Sequence, residues 1–264
     1  PSHPRLLDWL ATGFIKNGWK LKALHRLIVT SSVYRQSSAA PAELHRRDPE
    51  NRLLARGPRK RLSGNAIRDA ALYASGLLVE KIGGASVKPY MPPGIWASVS
   101  NSKYKRDKGA SLYRRSLYTY WRRTLPPPTL MTFNAAAREV CIVKMDQTTT
   151  PLQALASMNN IVFVEAARFL AERVLRPQGL NARDRISRAF RLVVSRPPRP
   201  EELKILLADL EYYLKDFKKR PAAARRLLAV GAKAFDEKIN AARLASYALV
   251  ANTILNLDET ITQN

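Results

Sequence analysis

Apolar positions recur at helical spacing through most of the chain. Leu6, Leu7, Trp9, Leu10 and Phe14 form a first stripe, with Ser2 as the expected cap, Pro4 in the first turn and Asn17-Gly18 as the stop. "WKLKALHRLIVTSSVYRQ" predicts a second helix, with Leu21, Leu24, Leu27, Ile28 and Tyr34 inward and Lys20, Lys22, Arg26 and Arg35 facing elsewhere. His25, next to Leu24, reads as a packed or half-exposed histidine. Turn chemistry follows at Asp48-Pro49 and Gly57-Pro58. "NAIRDAALYASGLLVEKI" then predicts a third helix with Ile67, Ala70, Ala71, Ala74 and Leu78 on one side. Its Arg68 and Asp69 are adjacent and point about 100° apart, so each is expected to pair with something other than its neighbour.

The period is lost over residues 82–110, where Gly83-Gly84, Pro89 and Pro92-Pro93-Gly94 interrupt a polar run. That length is too great for an ordinary connection, and Tyr90 and Trp96 predict that part of this arm is docked. Helical spacing returns at "TTTPLQALASMNN". Thr150 as cap, Pro151 at the first helical position and Gln153 at the third form a capping box with a proline start. Asn159-Asn160 weakens the helix before "IVFVEAARFLAERVLR" resumes it. Asn181 caps the next, Pro200 starts one over 200–218, Pro221 starts another, and a last helix covers roughly 236–256. The pattern predicts an all-α protein: an N-terminal helical lobe over 1–81, an irregular Gly/Pro-rich arm over 82–147, and a C-terminal helical lobe over 148–264, with the two lobes also readable as one continuous domain.

Charge changes this picture. In 264 residues there are 45 Lys plus Arg against 21 Asp plus Glu, a net charge of +24. Such a field draws polyanions, although a solvated basic surface gives the same count. Cysteine and histidine exclude more. Cys141 is the single cysteine, and His3, His25 and His45 lack metal-ligand spacing, so neither a disulfide, a metal site nor a haem attachment is expected in this chain. Cys141 lies between apolar residues and reads as a core thiol. No apolar run reaches the length of a membrane span. The chain opens without Met directly at a helix start and reads as a piece of a longer protein.

The densest chemistry is "SLYRRSLYTYWRRTLPPPTL", residues 111–130. If 113–123 is helical, Arg115 and Thr119 share a face with Arg122 and Arg123. One reading puts Arg114, Arg115, Arg122 and Arg123 over a cleft, with Tyr118, Trp121 and Trp96 as stacking rings for an acidic polymer. Arg35, Arg68 and Asp69 would stand behind them as supports. The other reading is a clamp, in which the rings cover a core, the arginine stems lie along them and the three prolines stiffen the exit. For an enzyme acting on such a polymer, the candidates are Asp69, Glu139 and Asp146, with His3 as a proton carrier. The sequence shows no nucleophile elbow, no phosphate loop and no nucleic-acid recognition motif, so nucleic acid is the weaker polyanion candidate.

The stretches "SHPRLLDWLA", "GWKLKALHRLIVTSSVYRQSS", "DPENRLLARGPRKRL", "IRDAALYASG", "LYRRSLYTYWRRTLPPPTLMTF", "TTTPLQALASMNN", "FVEAARFLAERVL", "AFRLVVSRPPRPEEL" and "LNLDETITQN" run nearly end to end. Together they resemble a planctomycete-type family of unknown function. Its members form the C-terminal part of large proteins with a cytochrome c-like domain and a companion uncharacterised domain upstream. The resemblance implies an extracytoplasmic location, upstream domains of the same polypeptide as partners, and haem c held there rather than here. This chain departs from the family pattern at Arg5, Asn65 and Asn134, where the family usually has carboxylates. An amide cannot take up a proton near neutral pH, which favours binding or scaffolding over catalysis.

Overall fold

The computed structural model describes residues 1–143 and 148–263. Among the described residues the fold is predominantly α, with twelve α-helices and two short strands at Lys60–Arg61 and Thr262–Gln263. The chain divides into two compact units: Pro1–Lys60 with the chain end from Thr262, and Arg61–Ile261. The arm and the C-terminal helices thus lie in the same compact unit.

In the first unit, α1 (Pro4–Lys16) starts with proline in its first turn, but His3 holds the cap position and no side chain, Ser2 included, caps it. α2 (Leu21–Thr30) is shorter than its stripe predicts, because Ser31 turns extended and its hydroxyl donates to the Ile28 carbonyl. Tyr34 lies beyond the helix and is exposed, and so is His25. α3 (Ala42–Arg47) forms inside the predicted connection. The Asp48-Pro49 turn is built as expected: the Asp48 carboxylate accepts from the amides of Arg52 and Leu53, both at 2.8 Å.

In the second unit, α4 (Gly64–Ser75) is capped by Ser63 and stopped by Gly76, which takes the left-handed conformation at φ 77°. Leu78, placed inside the helix by the sequence reading, therefore lies beyond its end. α5 (Pro128–Thr132) starts on the last of the three prolines. α6 (Pro151–Asn159) carries the expected capping box: Thr150 Oγ1 accepts from the Gln153 amide at 3.3 Å, and Gln153 Oε1 accepts from the Thr150 amide at 3.1 Å. Asn160 ends α6 and caps α7 (Ile161–Leu175) through a single extended residue, so the predicted weak point is a break. Asn181 caps α8 (Ala182–Val194) as expected, and Pro200 and Pro221 open α9 (Pro200–Lys219) and α10 (Pro221–Leu228). α11 (Ala241–Leu255) starts five residues later than predicted, where Asn240 accepts from the Arg243 amide, and α12 (Asp258–Ile261) closes the unit.

Small residues set the core. Ala166, Ala167 and Ala171 on α7 and Ala245, Ala248 and Ala251 on α11 are buried, which lets the two backbones approach closely. Leu203, Leu206 and Leu210 of α9, Ile186 and Phe190 of α8, and Ile67 and Ala71 of α4 fill the rest. Arginine finishes the ends. Arg185, buried on α8, donates to the carbonyls of Val174, Leu175, Pro177 and Leu180 and so satisfies the open end of α7. Arg173 does the same for α4 through the Ala74 carbonyl at 2.8 Å. Among the described residues, no helix is long and apolar enough to cross a membrane.

Arg196, just past α8, forks between Glu202 of α9 and Glu259 of α12, with four bonds of 2.7–2.9 Å. The hydrogen bonds from Arg196 hold Glu202 down at about 2, against an ordinary value of 4.5. A carboxylate depressed in this way stabilises the fold fully above pH 4.5 and loses that contribution as pH falls toward 2. Glu202→Gln should therefore lower the melting temperature at pH 7, with the gap to the parent chain closing between pH 4.5 and 2. Calorimetry across that range checks it, and a gap that persists unchanged at pH 2 would show that the charge is not responsible.

Candidate functional site

The residues singled out in 111–130 do not form a helix. Two 3-10 turns, Gly109–Tyr113 and Ser116–Tyr118, are followed by extended chain. What holds this shape is α4. Arg68, 4% exposed, donates to the carbonyls of Leu112 (2.8 Å) and Arg114 (2.9 Å) and to the Ser116 hydroxyl (3.2 Å). Asp69 Oδ1 accepts from the amide (2.8 Å) and hydroxyl (2.7 Å) of Ser116. Both therefore find partners elsewhere, as expected, but they also lie 3.7 Å from each other, because both reach toward Ser116. Burial pushes the Arg68 guanidinium down from its ordinary value, and the Asp69 charge partly restores it. Arg115 stays half exposed, 4.0 Å from Asp69.

Arg114 points the other way. Its guanidinium lies 3.8 Å over the Tyr118 ring and donates to the carbonyls of Lys81, Gly83 and Ala85 at 2.6–3.0 Å. The Tyr118 hydroxyl accepts from the Gly83 amide. Two residues predicted to face a ligand thus pin the start of the arm. Val87 joins the same sheet-like edge: its amide donates to the Tyr118 carbonyl, and its carbonyl accepts from the Tyr120 amide. Further along, Arg122 donates to the Val99 carbonyl and lies 5.1 Å over Trp96, whose ring neighbours Tyr104 and Tyr120. Lys88 sits 5.0 Å over Tyr120. Trp96 is buried and Tyr120 is exposed, so within this group it is Tyr120 that offers a ring to a ligand. Trp121 donates to the Ala137 carbonyl beneath the Arg138 guanidinium, and Arg123 is exposed.

The remaining candidates are not assembled with these. His3 and Arg35 belong to the first unit, where the His3 ring donates to the Arg52 carbonyl and Arg35 is exposed. Glu139 is exposed, and Asp146 lies outside the described residues. Cys141 is exposed, contrary to the core reading, because its stretch has no helical or strand structure to turn one side inward. Asn134 donates to the Thr148 hydroxyl. Asn65 borders, with Trp121 and Arg138, a cavity of about 80 Å³, room for water rather than a sugar ring. Among the described residues, no three His, Cys, Asp or Glu side chains converge as metal ligands.

Sequence reasoning missed a second buried centre. Glu165 on α7, 1% exposed, accepts from the hydroxyls of Tyr113 (2.9 Å) and Tyr90 (2.8 Å) and from the amides of Ala232 and Lys233. Gly231 lies so close that a methyl there would run into the Glu165 carboxylate. Arg168 links Glu172 to the Lys233 carbonyl. Burial, with the Glu165 hydrogen bond and charge, pushes Tyr90 up to about 12 and Tyr113 higher still. The signal lay in "FVEAARFLAERVL", where Glu165, Arg168 and Glu172 recur at helical spacing inside an apolar helix. The centre works as a joint: every oxygen of Glu165 is taken, and the arm, α7 and the 231–236 loop meet on it.

Arg68→Met should cost about 3 kcal/mol, because it leaves buried carbonyls without donors. Arg115→Met and Arg123→Met, at exposed positions, should each cost less than about 0.5 kcal/mol. Urea titration of the three variants checks the ordering. Equal costs would mean that Arg68 is no anchor.

A comparison with protein-family models matches residues 1–210 to PSD1, a protein of unknown function family (DUF1553). Searches of curated proteins and of solved structures find no match. The match covers most of the chain, including α4, the arm and the Arg/Tyr/Trp segment that it anchors. The chain therefore belongs to the PSD1 family of proteins of unknown function.

Proposed function

We propose that Arg61–Ile261 is a non-catalytic binding module of an extracytoplasmic protein, and that the surface of its arm takes an acidic polysaccharide of the sulfated or uronic class. The observation that carries this reading is the Trp96–Tyr104–Tyr120 ring group with Lys88 and Arg122 on its faces. Lys103, Lys105, Arg106 and Lys108 run beside it, all exposed. Their stretch of chain is tied down where Asp107 exchanges hydrogen bonds with Lys88 and where Tyr104 donates to the Pro89 carbonyl. Exposed cations on a fixed backbone, next to an exposed tyrosine, suit a chain of sugar rings bearing anions. Asp69 supports binding over hydrolysis, because a carboxylate that gives one oxygen to both donors of Ser116 is poorly placed to shuttle protons. Relative to the sequence reading, this proposal gives Arg114, Arg122 and Trp96 the task of holding the fold and assigns the grip to the outer 103–108 stretch and Tyr120.

Binding to heparin, polygalacturonate and single-stranded DNA at two salt concentrations tests this. Both glycans should bind and weaken with salt. Substituting Lys103, Lys105, Arg106 and Lys108 by Gln together should flatten the salt dependence, and Tyr120→Ala should weaken binding by about tenfold. Glycan binding unchanged in the fourfold variant, or DNA bound more tightly than either glycan, would overturn the assignment.

A further inference from the structure

No apolar side chain of Pro1–Lys60 is buried. Trp9, Leu10, Phe14, Leu24 and Leu27 instead line a cavity of about 600 Å³ between α1 and α2. A second cavity, of about 580 Å³, continues from it and shares Lys20, Ala23 and Arg26. Together they make a groove with an apolar floor, which costs free energy to leave in water. Its charged lining has one sign: Lys16, Lys20 and Arg26 border the first part and Lys22 the second, and no carboxylate borders either.

We propose that this groove docks an amphipathic helix of a partner protein, with an apolar face flanked by Asp or Glu. Three observations select that occupant. The surface is a trough between two helices, and a trough receives the apolar ridge of a third helix, whereas a lipid interface is entered by a protruding apolar face. The lysines and the arginine along the trough match acidic flanks. The same cations disfavour a second copy of this chain, because a two-fold pairing of this face would set Lys16, Lys20 and Arg26 against their own counterparts at a net charge of +24. The trough is also set in advance. The Trp19 amide donates to the Phe14 carbonyl, and the two rings meet edge to face at 5.2 Å, fixing the turn that joins the helices.

The test uses the whole chain and a fluorescent synthetic helix of about 18 residues with a leucine stripe and glutamate flanks. Controls are the same helix with lysine flanks, a proline-broken version and phosphatidylglycerol vesicles. The glutamate helix should bind at least about tenfold more tightly than the lysine helix or the broken one. The double change Lys16→Glu and Arg26→Glu should reverse that preference, a result that loss of folding cannot produce. Equal binding of both helices or no binding of the glutamate helix would overturn the proposal. Preferential capture by the vesicles would assign the groove to a membrane. A dimer in sedimentation that Leu24→Asp abolishes would assign it to a second copy.

Discussion

The arm and the segment that follows it have little regular structure, so their carbonyl groups need donors from elsewhere. Buried and half-buried guanidinium groups supply them. Arg68 serves Leu112 and Arg114; Arg114 serves Lys81, Gly83 and Ala85; Arg122 serves Val99; and Arg185 serves the end of α7. A planar fork with five donors can answer several divergent carbonyls at once, which lysine cannot. Leaving those carbonyls dry and unpaired would cost about 1–3 kcal/mol each. The basic composition is thus partly internal: some of the charge that suggests a polyanion site is consumed in holding the chain to itself.

Carboxylates complete the scheme where guanidinium groups cannot. Glu165 gathers two tyrosine hydroxyls and two amides, and Asp69 gathers both donors of Ser116. Arg68–Asp69 and Arg168–Glu172 are near neighbours, so Arg68 and Arg168 each have an opposite charge beside them, whereas buried Arg114 and Arg185 are met by backbone carbonyls. The proposed binding surfaces lie in the outer layer: the exposed cations of Lys103–Lys108, and the trough between α1 and α2, whose lining carries cations and no carboxylate; the two belong to different units.

Local chemistry was legible in the sequence and long-range chemistry was not. Thr150, Pro151 and Gln153 act within one turn of each other, as do Asn181 with Asp184 and Pro200 with its helix, so spacing alone identifies them. The sequence leaves the 113–123 segment only a possible helix. It forms 3-10 turns and extended chain instead, because Arg68 and Asp69, more than forty residues away in sequence, take its backbone groups. The Arg and aromatic content there was noticed, yet composition cannot distinguish a ring stacked on an external sugar from one stacked under Arg114. Glu165 was overlooked because a charged residue in a helix reads by default as solvent-facing, although its flanking alanines and phenylalanine marked a buried side. Spacing predicts that the apolar stripe of α2 faces inward, yet neither α1 nor α2 has a buried residue, because a stripe does not say what covers it.

Hydrogen exchange on an Arg114→Lys variant tests the central claim most directly, since the substitution keeps the charge and removes the fork. The amides of Gly83, Val87 and Tyr120 are bonded within the segment that Arg114 pins. They should lose most of their protection, while amides in α7 and α11 keep theirs. Unchanged protection at those three positions would contradict the account, because the arm would then be held by something other than its buried arginines.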